Sequence, residues 1–237
     1  MKMYNVYGLF YLLLLLTATS CLGDGGQTIS LGSYPGVVVK RNDSAKIYLK
    51  GHDVIYSPQT NTSVDDGDCV IIDFTLDYGK PENSDSGRVK GYLTVDISRI
   101  TPVSYQAAGS LVTDTSAVLP NEHTLSAIQQ RNALILDRFF LYTEHRSDNT
   151  SPLHFDLSYD PEQTVTDKTY DLFLRVTKDM EASPAAQQQV QCNAFDLSEL
   201  SKRETDSLIF RIHYVQGFNK DSTQINWSFT PAYRFAL

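Results

Sequence analysis

Cys21 is the residue of this 237-residue sequence whose type and setting specify chemistry most directly. Lys2 stands near the start, an apolar run extends from Leu9 through Leu16, and Thr17-Ala18-Thr19-Ser20 precede the cysteine. A positive start, an apolar stretch too short for an ordinary membrane span and small residues before the cut are what a signal peptidase requires. The thiol can then take a diacylglyceryl thioether, and the amino group freed by cleavage can be acylated, each buried methylene adding about 0.8 kcal/mol of membrane affinity. Cys21 is therefore the predicted lipidation site and residues 1–20 the predicted lipoprotein signal peptide. A plain secretory signal with an incidental cysteine is the alternative, and Ala18, where Leu is commoner, departs from the pattern.

No other stretch assembles a reaction. A nucleophile elbow, a zinc-protease helix, a phosphate loop and a Cys-x-x-Cys pair are all missing from the sequence. His154 and His213 fall on the polar sides of predicted strands, and His52, His123 and His145 fall in loops or at strand ends. None has a second ligand two or four residues on, so no catalytic residue, metal ligand or cofactor site is assigned. Carboxylates are plentiful, but the separation that a glycosidase pair needs is not written in a sequence. The acidic turn Asp65-Asp66-Gly67-Asp68 lacks the ligand spacing of a calcium loop and reads as a glycine turn. Trp227, Tyr233 and Phe235 offer a sugar-stacking cluster, against which stands the commoner use of aromatics at strand spacing as core.

Charge narrows the partners. The chain has 20 basic and 28 acidic residues. Lys2 leaves with the signal, so the mature net charge is −9, which excludes a nucleic-acid partner needing a basic face. Lys40, Arg41, Lys46 and Lys50 form the one basic concentration and read as a solvated strand face. Once Cys21 is lipidated, Cys69 and Cys192 are left. An oxidising compartment permits a bridge, yet their settings, an apolar run and a Gln-rich stretch, favour free thiols.

These residues must be positioned by strands. Residues 21–33 are Gly-rich and polar and read as a flexible tether. Period-two alternation then appears in Val37 and Val39, Ile47 and Leu49, and Val70, Ile72, Phe74 and Leu76, followed by Leu93, Val95 and Ile97. Residues 34–104 form the first predicted domain and 105–121, small and weakly periodic with a closing Pro120, a linker. Residues 122–237 form the second. There Leu153, Phe155, Leu157 and Tyr159, then Tyr170, Leu172, Leu174 and Val176, then Leu208, Phe210, Ile212 and Tyr214 each give one greasy face. Ile225, Trp227 and Phe229 are expected to face inward in the last strand, with Asn226, Ser228 and Thr230 outside. The fold class is all-β, and the second domain is expected to be an antiparallel sandwich.

The lipoprotein Cys21, the turn Asp65-Asp66-Gly67-Asp68 leading into Val70-Ile71-Ile72-Asp73-Phe74, and Phe195-Asp196-Leu197-Ser198-Glu199-Leu200 followed by Asp206-Ser207-Leu208-Ile209-Phe210-Arg211-Ile212 resemble the NigD-like lipoproteins of Bacteroidota. The resemblance implies an N-terminal OB-like barrel and a C-terminal β-sandwich, with no catalytic residues to carry over. It also implies an outer-membrane anchor. Many surface-exported relatives carry an acidic cluster after the cysteine, whereas this chain has only Asp24, which favours the periplasmic face. Asp43-Ser44-Ala45, Asp206-Ser207-Leu208 and Asp221-Ser222-Thr223 resemble the O-glycosylation acceptors of the same bacteria.

The expected function is a non-enzymatic envelope lipoprotein, held to the membrane through Cys21, that acts as an interaction or accessory module for an envelope protein partner. A glycan-binding module of an uptake system and a fimbrial or adhesin subunit are the alternatives, the latter requiring a donor strand and a groove. A hydrolase ranks below them. No cofactor is expected.

Overall fold

The computed structural model describes residues 28–84, 90–110, 116–147, 152–162, 169–179 and 186–237. The signal segment, Cys21 and the tether up to residue 27 lie outside the described residues.

Strands β1 (Thr28–Arg41), β2 (Ser44–Leu49), β3 (Val54–Tyr56), β4 (Cys69–Asp77) and β5 (Leu93–Pro102) close into a barrel in the order β1-β2-β3-β5-β4. Alternation is the cause. Val70, Ile72, Phe74 and Leu76 of β4 turn inward while Ile71, Asp73 and Thr75 stay half-exposed, and the inward set joins Val38, Ile47, Ile55 and Val95 in one core. Gly36 is needed for this closure, because a Cβ there would stand 2.4 Å from Cγ2 of Ile47 on the neighbouring strand. A bulge between Leu31 and Tyr34 redirects β1. At the bulge the Ser33 N–H donates to Oδ1 of Asp73 at 2.6 Å, and that bond, with Arg99 beside it, holds the Asp73 carboxyl below the usual carboxylate range. A helical turn, Thr60–Ser63, closes the end where β1 finishes. Its buried Thr60 hydroxyl donates to the Ala45 carbonyl at 3.0 Å, and Val64 after it enters the core.

The second unit is built from β6 (Ser104–Ala107), β7 (Gly109–Ser110), β8 (Ala127–Ile128), β9 (Ala133–Ile135), β10 (Arg138–Ser147), β11 (Leu153–Tyr159), β12 (Thr169–Lys178), β13 (Gln187–Asp196), β14 (Ser207–Phe218), β15 (Ile225–Phe229) and β16 (Tyr233–Ala236). One sheet runs β6-β13-β10-β8 with β9 also on β10; the other runs β15-β14-β12-β11-β7 with β16 on β14. The sheets share a core of Phe139, Leu141 and Phe195 from the first and Leu157, Leu172, Phe210 and Ile212 from the second. Phe139 meets Phe210 edge-on with centroids 4.9 Å apart.

Three boundaries differ from expectation. The tether does not extend to residue 33, because β1 starts at Thr28, where Ile29 and Leu31 pair with Leu76 and Phe74; Gly32 and Pro35 interrupt the pattern that would have shown it. The first domain accordingly runs Thr28–Pro102 rather than 34–104. Residues 105–107 and 109–110 of the expected 105–121 linker are strand, β6 lying along β13 and β7 along β11. Tyr105 fixes the first of these. Its hydroxyl donates to Asp196 at 2.7 Å, and Arg138 pairs with the same carboxylate while lying over the Tyr105 ring at 4.4 Å. Burial pushes the Asp196 carboxyl up, but Tyr105, Ser198 and Arg138 outweigh it and bring the pKa to about 2. The β6–β13, β7–β11 and β12–β14 pairings are parallel, so the second unit is a mixed arrangement rather than a uniformly antiparallel one.

The two units are docked. Val37 and Cys69 from the barrel pack with Ala133, Ile135, Phe140, Tyr142 and Ala194, and Tyr48, Ile71, Val103 and Cys192 flank them.

Candidate binding face

Alternation that sends Leu172, Leu174 and Ile212 into the core necessarily places Phe173 and His213 on the opposite side of the sheet. Register then aligns four strands. Ser158 of β11 faces Phe173 of β12, Phe173 faces His213 of β14, and His213 faces Phe229 of β15. The Phe173 and His213 rings stack at 4.9 Å and 19°, Trp227 meets Phe173 edge-on at 5.6 Å, and Phe229 leans on His213 at 5.9 Å. Phe229 is 63% exposed, the most open of the large hydrophobic side chains described.

Ion pairs frame this row. On one side the Asp171 carboxylate meets Nε2 of His213 at 2.8 Å and the Arg211 guanidinium at 2.5 Å. Burial raises the Asp171 carboxyl, but the His213 hydrogen bond and the Arg211 guanidinium outweigh it and hold it below the usual range. On the other side Arg175 grips both oxygens of Glu122 at 2.7 and 2.6 Å, a bidentate pair. The arrangement offers ring surface bordered by oriented donors and acceptors. Among the described residues, no group of three His, Cys, Asp or Glu side chains is placed to hold a metal.

The cluster expected from Trp227, Tyr233 and Phe235 is split. Tyr233 and Phe235 pack on Phe139 and Phe210 inside, whereas Trp227 and Phe229 stand outside, contrary to their expected inward orientation. A shift in register between Val215 and Gly217 at the β14–β15 pairing accompanies that change, and Thr230, expected outside, is buried with its hydroxyl accepting from the Ile212 N–H at 3.0 Å. Phe173 was the signal within reach of the sequence: a large aromatic on the polar side of an otherwise clean alternation.

The other singled-out residues disperse. His154 is exposed beside Asp179 at 3.3 Å, and the buried His145 lies ring to ring with the half-buried His123 at 6.0 Å. Gly67 has φ +84°, and Asp65, Asp66 and Asp68 spend their contacts on the turn and on Lys40. Cys69 and Cys192 are free. Burial pushes their thiols up to about 11 and about 12, which makes them poor nucleophiles. Of the three Asp-Ser sequences, Ser222 lies exposed in a turn at φ 52°. At the junction of the units a cavity of about 580 Å³ opens beside Lys50, His52, Leu136 and Arg234. No helix of the described residues is long and apolar enough to cross a membrane.

A five-stranded barrel closed in the order 1-2-3-5-4 is the OB arrangement, and residues 26–101 match the family model described as the lipoprotein OB domain. The first domain is a lipoprotein OB domain. The name of that family implies a cell-envelope location. Among solved structures, an uncharacterised protein of Parabacteroides merdae matches with TM-score 0.74 at 21% identity, over 88% of this chain and 98% of that one. A candidate lipoprotein of Bacteroides fragilis matches with TM-score 0.60 at 14% identity, over 88% and 97%. A NigD-like immunity protein of Bacteroides caccae matches with TM-score 0.50 at 10% identity, over 90% and 98%. The lipoprotein OB domain and the unit behind it thus share one fold with these proteins, and the resemblance to NigD-like lipoproteins holds at that level. No curated protein matches the sequence.

Proposed function

We propose that the chain is a non-enzymatic lipoprotein anchored through Cys21 to the outer membrane, with the periplasmic face favoured, where it serves as an interaction or accessory module for an envelope protein partner. The observation that carries this reading is the placing of a lipoprotein OB domain, residues 26–101, directly after a lipoprotein-type Cys21. The acidic balance supports a partner other than nucleic acid. Metabolic labelling with palmitate and fractionation of the envelope test the anchor. The wild type should carry label and sediment with outer membranes, and Cys21→Ala should lose both; an unlabelled wild type, or a variant that stays in the membrane, overturns it. Crosslinking in cells tests the partner, which should be one reproducible envelope protein lost with Cys21→Ala; recovery of glycan alone would overturn the accessory reading.

The row of Phe173, His213, Trp227 and Phe229 favours a second reading, a glycan-binding module, since sugar rings stack on aromatics while their hydroxyls donate to carboxylates such as Asp171 and accept from guanidinium groups such as Arg175. Trp227 is the only tryptophan in the chain and so reports this face alone. Titration with soluble plant and bacterial oligosaccharides should shift its emission saturably and lose the response in Phe229→Ala. An unmoved spectrum across the panel removes this reading.

A further inference from the structure

The OB barrel has one closed end and one open end. The Thr60–Ser63 turn and Val64 fill the end where β1 finishes. At the end where β1 begins, a cavity of about 410 Å³ opens, its wall including Leu31, Leu49, Ile55, Phe74 and Tyr92. Its rim carries Ile29, Tyr34 and Tyr78, exposed by 38%, 37% and 40%, so a third of the nine large hydrophobic side chains exposed among the described residues stand on this one edge. Two of the three are tyrosines, whose apolar ring and polar tip suit the headgroup level of a bilayer.

Chain length fixes what lies opposite this rim. β1 starts at Thr28, so only residues 22–27 separate it from Cys21. At about 3.3–3.6 Å per residue even a fully extended tether reaches only about 25 Å, less than the thickness of a bilayer core. A lipid on Cys21 therefore keeps the start of β1, and with it the open mouth, within about 25 Å of the membrane surface. We infer that the open mouth is the membrane-facing surface of the protein: Ile29, Tyr34 and Tyr78 bed in the interfacial layer of the bilayer that holds the Cys21 lipid, and the cavity behind them receives lipid. His52 and Asp53 border the same cavity and the mature chain is acidic, so zwitterionic lipid is the matching surface. This inference rests on the anchoring of Cys21 proposed above.

The test uses the lipidated full chain in vesicles of phosphatidylethanolamine and phosphatidylcholine. A bimane label is placed at Tyr78→Cys or Ile29→Cys on the rim, or at Val190→Cys, an exposed position of β13 in the second unit, and Trp227 emission confirms that each labelled chain is folded. Flotation reports anchoring separately. Nitroxide lipids labelled near the headgroup should quench the two rim labels several-fold more than the label at 190. If the chain floats with the vesicles and all three labels are quenched alike, the orientation is overturned while the anchor stands. If it does not float, the anchoring through Cys21 falls, and the orientation falls with it.

Discussion

The barrel and the two-sheet unit fill their cores with different side chains. Inside the barrel Phe74 is the one buried aromatic among Val, Ile, Leu and Ala. Between the sheets Phe139, Phe155, Tyr159, Tyr170, Phe195, Phe210 and Tyr214 take part. Geometry explains the contrast. A five-stranded barrel is narrow, and β-branched side chains fit its curved wall without leaving rotamer wells. Two sheets facing across about 10 Å need longer side chains to meet in the middle. The barrel thus depends on many small contacts, and the second unit on a few large ones.

The widest separation between the two should come from Phe139→Ala. This ring is fully buried and touches Phe210, Tyr233 and Phe235, so its removal should cost about 3–5 kcal/mol through lost transfer energy and an unfilled cavity. Trp227 lies in the two-sheet unit, so urea unfolding followed by its emission reads that unit. Far-UV circular dichroism reads both. A large drop in the fluorescence midpoint with a residual later dichroism transition would show the barrel standing alone; coincident transitions would show that docking through Val37, Cys69, Phe140 and Tyr142 couples the units.

Acid should separate them next. His145 is 1% exposed, beside the His123 ring at 6.0 Å and Phe155 at 6.1 Å. Burial, reinforced by His123, lowers its pKa from 6.5 to about 4. Between those values the unfolded chain binds the proton and the folded chain does not, so stability is complete above pH 6.5 and declines as pH falls towards 4. The loss should total about 3–4 kcal/mol, at roughly 1.4 kcal/mol per unit. Urea midpoints at pH 7.5 and 5 should differ for wild type, and the difference should shrink in His145→Gln. An equal slope in that variant would assign the acid sensitivity elsewhere.

The same contrast decides what was legible in the residues. Barrel strands β1 with β2, β2 with β3 and β4 with β5 pair with sequence neighbours, and β2, β4 and the middle of β5 alternate, so Ile47, Val70 and Val95 announce their inward face. β6 and β7 could not be read this way. Their residues are small or exposed, and what makes them strands is backbone pairing to β13 and β11, far away in sequence. The aromatic face failed for a related reason: Phe229 and Trp227 face the way His213 and Val215 opposite them face, so their side of the sheet is set by the register with β14 and not by the alternation within β15. Cys21, by contrast, was singled out by covalent chemistry that needs no fold.

Gly36→Ala tests the barrel from its own side. The added methyl would meet Cγ2 of Ile47 at 2.4 Å, Cδ2 of Leu49 at 3.2 Å and the Tyr48 carbonyl at 3.3 Å. Relief requires Ile47 to leave its place in a sealed core, an overpacking cost of about 1–3 kcal/mol. The dichroism midpoint should fall while the Trp227 transition moves less. If both fall together, the barrel supports the second unit through the junction more strongly than the aromatic core supports itself.

The smallest effect comes from two hairpin turns of the same shape. Asn42 and Asp43 join β1 to β2 with φ of 49° and 62°, and Leu136 and Asp137 join β9 to β10 with φ of 47° and 63°. The barrel turn uses residues that tolerate the left-handed region. Leu136 does not belong there: its Cβ crowds the following carbonyl oxygen, at about 1–2 kcal/mol, and it remains 49% exposed, so burial returns little of that. Leu136→Asn should therefore raise the Trp227 midpoint by an amount equivalent to about 1 kcal/mol, whereas Asn42→Leu should lower the barrel's stability by a similar amount. Leu136 also lines the junction cavity beside Lys50 and Arg234. A loss of stability in Leu136→Asn would mean that the side chain's packing across the junction outweighs its backbone strain, and the two turns would then differ in purpose as well as in composition.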